Sequence, residues 1–112
     1  MAYDEDVAAR IRALLAGEPG LTEQRMFGGL GFLVNGNMAV AASSKGGVMV
    51  RVDPERGAGL VGAGVAPMEM RGRLMAGWLH ADPSAFTTEA ELARLVEAGV
   101  SFARSLPPKS SA

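Results

Sequence analysis

Val7, Ile11, Leu14 and Leu15 recur at i, i+4, i+7 and i+8, the spacing of one helical face. Asp4, Glu5 and Asp6 precede them, where negative charge suits a helix start, and Gly17 to Gly20 with Pro19 ends the run. The pattern predicts a helix over residues 4–16. The period then shortens to two. Residues 22–27 make a candidate strand that breaks at Gly28-Gly29. Leu30, Phe32 and Val34 alternate in a second. Asn35-Gly36 joins it to Met38, Val40 and Ala42. Both turn residues tolerate positive φ, so a two-residue type I′ hairpin is predicted. After Lys45-Gly46-Gly47, Val48, Val50 and Val52 alternate in a fourth strand.

Asp53-Pro54-Glu55 has the form of a helix start, but Gly57, Gly59, Gly62 and Gly64 allow only a short, weak helix before Pro67. Residues 66–70 and 73–81 form a second hairpin turning at Gly72, with Trp78 and His80 on one strand face and Leu79 on the other. Asp82-Pro83-Ser84 breaks that strand. Thr88 and Glu91 have the spacing of a capping box. Leu92, Leu95, Val96, Gly99, Phe102, Ala103 and Leu106 then keep helical spacing, predicting a helix over 88–105 stopped by Pro107-Pro108. The order α-β-β-β-β-(α)-β-β-α predicts an α+β fold of two layers: an antiparallel sheet of five to six strands with the N- and C-terminal helices on one face. A single domain is expected over 1–109, with 110–112 as a disordered tail.

Composition narrows the function classes. With 112 residues, 48% hydrophobic and 21% charged, the chain can bury a core without metal or disulfide. It has no cysteine, so thiol nucleophiles and cysteine-ligated zinc are excluded. An acidic start and the lack of a long apolar run predict a cytoplasmic protein with no membrane span. Net charge is −1. Residues 1–24 hold five acids and two bases, 25–80 six bases and three acids, and 81–112 four acids and three bases. The central segment is mildly basic, a bias too small to argue from, and without net basicity direct nucleic-acid binding is not expected.

Gly57-Ala58-Gly59-Leu60-Val61-Gly62 spells GxGxxG. It neither follows a strand directly nor opens a full helix, and a flexible connection is the better reading. Gly28, Gly29 and Gly31 lack the Lys-Ser/Thr pair of a phosphate loop and read as a turn or bulge. His80, the only histidine, has Asp82 and Ser84 nearby, but three residues flanking Pro83 do not promise triad geometry. No metal site or cofactor is expected. Met26, Met38, Met49, Met68, Met70 and Met75 all fall in predicted strands, as core filling or as an adaptable contact surface. Arg25, Arg51, Arg71 and Arg73 either gather on the sheet, where they would meet an acidic partner protein or nucleic acid, or belong to a solvated strand face with Glu23 and Glu69 as neighbours.

Several strings together resemble a known family. Glu23-Gln24-Arg25-Met26-Phe27-Gly28-Gly29 is similar to the RMFGG signature of TfoX N-terminal domains. Residues 32–39, Met49-Val50-Arg51-Val52, residues 68–78 and Phe102 to Pro107 resemble that family's first hairpin, next strand, later hairpin and helix end. The ordered match runs over about residues 3–109. It implies a two-layer α+β fold of the kind grouped with secretion chaperones, and a link to competence regulation, in which full-length TfoX/Sxy regulators act with a transcription activator. Those regulators carry a further C-terminal domain; this chain covers the N-terminal one.

The sequence therefore predicts a non-enzymatic regulatory or protein-interaction domain, a homodimer with a regulatory protein partner, and the resemblance implies a tie to transcription regulation. The expected contact surface comprises Arg25, Met26, Phe27, Arg51, Arg71, Arg73 and Trp78. The alternative is a small-molecule sensor with an apolar pocket between sheet and helices around Phe32, Trp78 and Phe102.

Overall fold

The computed structural model describes residues 3–26, 28–44, 46–62, 64–70 and 72–108. Helix α1 covers Glu5–Leu14. The Asp4 carboxylate accepts the Asp6 amide at 2.9 Å and the Val7 amide at 3.3 Å, so the start is capped as the acidic run suggests. Val7, Ile11 and Leu15 are buried, but Leu14 is 36% exposed. The buried arc centres between Ile11 and Leu15, which leaves Leu14 on its rim.

Six strands follow: β1 (Leu21–Met26), β2 (Gly29–Val34), β3 (Asn37–Ala42), β4 (Val48–Arg51), β5 (Val65–Met70) and β6 (Arg73–Ala81). They form one sheet in the order β1-β2-β3-β4-β6-β5, with every neighbouring pair antiparallel. The β2–β3 turn has Asn35 at φ 52° and Gly36 at φ 81°, the pair of positive angles that its residue types permit. Between β4 and β5 the chain makes a short helix α2 (Pro54–Gly57) and a 3₁₀ turn (Ala58–Leu60). Asp53 caps α2 by accepting the Glu55 amide at 2.8 Å. This connection lets β6, not β5, lie beside β4.

Strand alternation sorts the two sheet faces. Phe32, Val40, Val50 and Leu79 pair across β2, β3, β4 and β6, and all are buried. The row Leu30, Ala42, Val48 and Ala81 points the same way. Helix α3 (Glu89–Ser105) packs on this face through Leu92, Leu95, Val96, Gly99, Val100 and Ala103. Its capping box is formed: Thr88 Oγ1 accepts the Glu91 amide at 3.2 Å, and Glu91 accepts the Thr88 amide at 3.1 Å. A side chain at Gly99 would overlap the Ala39 carbonyl, so glycine is what lets α3 lie against the β3 backbone.

Arginine–glutamate pairs fasten the helices at their exposed margins. Arg10 meets Glu89 at 2.7 Å and donates to the Phe86 carbonyl at 3.1 Å, joining α1 to the start of α3. Arg12 makes a two-pronged contact with Glu23 of β1, at 2.8 and 2.9 Å. That guanidinium holds the Glu23 carboxyl below the usual carboxylate range. Arg104 near the end of α3 pairs with Glu18.

Candidate interaction site at Arg51

The sheet face turned away from Val50 carries Gly31, Ala41, Met49 and His80 in one cross-strand row. Arg51 and Trp78 are paired directly opposite each other in the next row. Arg51 ends β4, and its long side chain reaches two rings. Its guanidinium carbon lies 5.4 Å from the Trp78 ring centre and 5.6 Å from that of Phe102 on α3. Both distances are within cation–π range. All three side chains are half-buried.

The electrostatics of this cluster differ from those of the structural arginines. Arg10, Arg12 and Arg104 each hold a glutamate. Among the described residues Arg51 holds no carboxylate. A guanidinium within cation–π range of aromatic rings can still offer its N–H groups to a carboxylate or phosphate. The geometry is an arginine beside two aromatic rings at the end of β4.

Of the remaining contact residues expected from sequence, Arg25 and Arg73 do not join it. Arg25 is exposed on the edge strand β1, in the cross-strand row of Leu30 and Ala42, which belongs to the opposite face. Three strand spacings, about 14 Å, separate β1 from β4. The expected gathering of Arg25 with Arg51 is thus corrected by register. Met26 closes β1 opposite Gly29. Arg73 is exposed at the β5–β6 hairpin, paired with Met70. Phe27 and Arg71 lie outside the described residues.

The expected pocket is also redistributed. Phe32 is fully buried in the core, because alternation points it at the helices with Val40 and Val50. Trp78 points to the other face. Phe102 does border a hollow of about 460 Å³ between α3 and residues 52–60, together with Val52, Asp53, Gly57, Leu60, Ala98, Ser101 and Ser105. Gly57 permits this packing, since a methyl there would press into the Val52 side chain. The GxGxxG string therefore closes α2 and runs through a 3₁₀ turn.

His80 has a structural partner. Its Nε2 lies 2.9 Å from the Gly46 carbonyl oxygen, tying β6 to the β3–β4 turn, and its Nδ1 is 4.0 Å from the Asp82 carboxylate. Among the described residues no three His, Cys, Asp or Glu side chains converge as metal ligands. No helix among them is long and apolar enough to cross a membrane.

The fold is that of a two-layer α+β domain. The chain belongs to the TfoX N-terminal domain family, whose model matches residues 13–103. In overall fold it is similar to the crystal structure of protein DR2400 from Deinococcus radiodurans, a DUF419 domain, with a TM-score of 0.65 at 18% identity. That likeness covers 98% of this chain and 94% of the other. No curated protein matches the sequence.

Proposed function

We propose that this chain is a non-enzymatic regulatory and protein-interaction domain that works in the cytoplasm as a homodimer. Its partner-binding centre is the Arg51–Trp78–Phe102 cluster. The observation that carries this reading is the half-buried guanidinium within reach of two rings, without a carboxylate partner among the described residues. Tryptophan and arginine are enriched among the residues that dominate the binding energy of protein interfaces, and an arginine already placed against rings loses less freedom on docking. The partner is a protein presenting an acidic side chain. With a net charge of −1, any tie to transcription runs through such a protein rather than through DNA.

Capture from the native cell tests this, with the wild type beside Arg51→Glu and Arg25→Glu. The expected result is one protein partner lost with Arg51→Glu and retained with Arg25→Glu. Equal recovery with all three proteins would remove Arg51 from the interface.

A second reading has its own support. The hollow of about 460 Å³ lies within the size range of small-molecule sites, so the domain also serves as a sensor whose ligand sits between α3 and the 52–60 segment.

A further inference from the structure

The sheet has two edge strands, β1 and β5, and they differ. β5 carries Pro67, which has no amide to donate, and its pairing with β6 shifts register between Pro67 and Glu69. A proline and a bulge both blunt an edge against further pairing. β1 has neither. Its register with β2 runs unbroken from Leu21 to Met26, and Thr22, Glu23, Gln24 and Arg25 are exposed. Two observations fix which backbone groups of β1 face outward. Val34 pairs with Asn37 across the two-residue turn, so its amide and carbonyl go to β3. The Asn35 amide donates to the Gly20 carbonyl at 3.0 Å. Alternation then turns the amides and carbonyls of Thr22, Gln24 and Met26 toward β2, and those of Leu21, Glu23 and Arg25 toward the free edge.

Charge selects what fits this edge. Two registers pair most of β1 with a second, antiparallel β1 across a two-fold axis. The one centred on Glu23 sets that carboxylate against its own copy, and like charges directly opposite are destabilising. The one centred on Gln24 sets Glu23 opposite Arg25, and symmetry makes that pair twice. Both residues turn their amide and carbonyl outward, so each such pair can exchange two backbone hydrogen bonds. Both side chains lie on the helix-bearing face, because they are paired with Phe32 and Leu30. Arg12 already contacts both oxygens of Glu23. A carboxylate has about four lone-pair sites, so it can accept a second arginine. Among the described residues Arg25 holds no carboxylate. We propose that a second copy of this chain docks on the β1 edge, with Gln24 on the two-fold axis, joining two six-stranded sheets into one. The proposal rests on the homodimer reading above and assigns its interface.

Sedimentation velocity of the full chain at micromolar concentration and low salt tests it. The wild type is expected to be a dimer. Arg25→Glu sets two carboxylates face to face at both ends of the interface, and Glu23→Arg sets two guanidinium groups there. Each should raise the dimer dissociation constant about tenfold or more. Mixed in equal amounts, these two variants carry complementary edges, and a dimer with one chain of each should return. Unfolded chains would not give that result. Arg25→Pro removes an outward amide and leaves the bonds to β2 in place, so it should give a folded monomer. Arg51→Glu, on the open sheet face, should leave the dimer intact. A dimer that survives both Arg25→Glu and Arg25→Pro, one that Arg51→Glu dissolves, or folded single variants that do not combine on mixing would each overturn the β1 edge as the interface. A monomeric wild type overturns the homodimer reading itself.

Discussion

Gly99 sets two residue-level effects against each other. Alanine is the better helix former by about 1 kcal/mol. A methyl group at this position would meet the Ala39 carbonyl, and only backbone movement could relieve it. Overpacking of a dense core costs about 1–3 kcal/mol, so the clash wins. Gly99→Ala is expected to lower the urea midpoint at unchanged slope; a raised midpoint would refute the close approach of α3 to β3. At Arg51 the balance is different. Arg51→Ala removes two ring contacts at half-buried positions, and about 1–2 kcal/mol of stability should go with them. Trp78 and Arg51 were legible as candidates, because large amphipathic side chains alternate with buried ones on their strands. Phe102 as their third member was not. Its helical spacing marks it as a core residue, and only the meeting of a strand end with α3 reveals its other neighbour.

Among the elements, those with local signals were the most readable. Asn35-Gly36 and the Thr88–Glu91 box act over two to three residues, and both have the expected geometry. Strand order depends on contacts distant in sequence. Nothing local states that β6 sits beside β4 with β5 outside it, so the row that pairs Arg51 with Trp78 could not be written down in advance. The α3 cap also makes a prediction about acid. The Thr88 backbone amide, and then the Thr88 and Thr87 hydroxyls, hold the Glu91 carboxyl below its ordinary 4.5. Glu23 is lowered from the same value by Arg12. A carboxylate depressed in the folded state stabilises above its unfolded pKa, and that contribution is lost as pH falls through the folded value. The urea midpoint should therefore hold from neutral pH down to about 5 and drop below it. Glu91→Gln, which keeps an acceptor at the third helical position, should flatten part of that drop. A drop identical in both proteins would take Glu91 out of the acid response. Thr88→Ala should cost about 1 kcal/mol at neutral pH through the lost cap.

At the scale of the molecule, helices cover one sheet face, while the other presents Met49, Trp78 and His80, each only half-buried. A face of that composition, with small Gly31 and Ala41 between larger side chains, suits a second copy as well as a different partner. Light scattering at micromolar concentration should give the mass of a dimer, and a clean monomer would remove that part of the account. The two layers and the single-sided helices followed from the alternation of period 3.6 and period 2 segments. The composition of the open face followed only from register. The central claim is that this face, around Arg51, is where the domain is touched in the cell. A photoreactive amino acid in place of Met49, which neighbours Arg51 on the same face and leaves it intact, tests that most directly. Irradiation of living cells should give a discrete adduct that disappears when Arg51→Glu is added. An adduct that survives Arg51→Glu, or none at all while exposed Glu97 on α3 yields one, would contradict the claim.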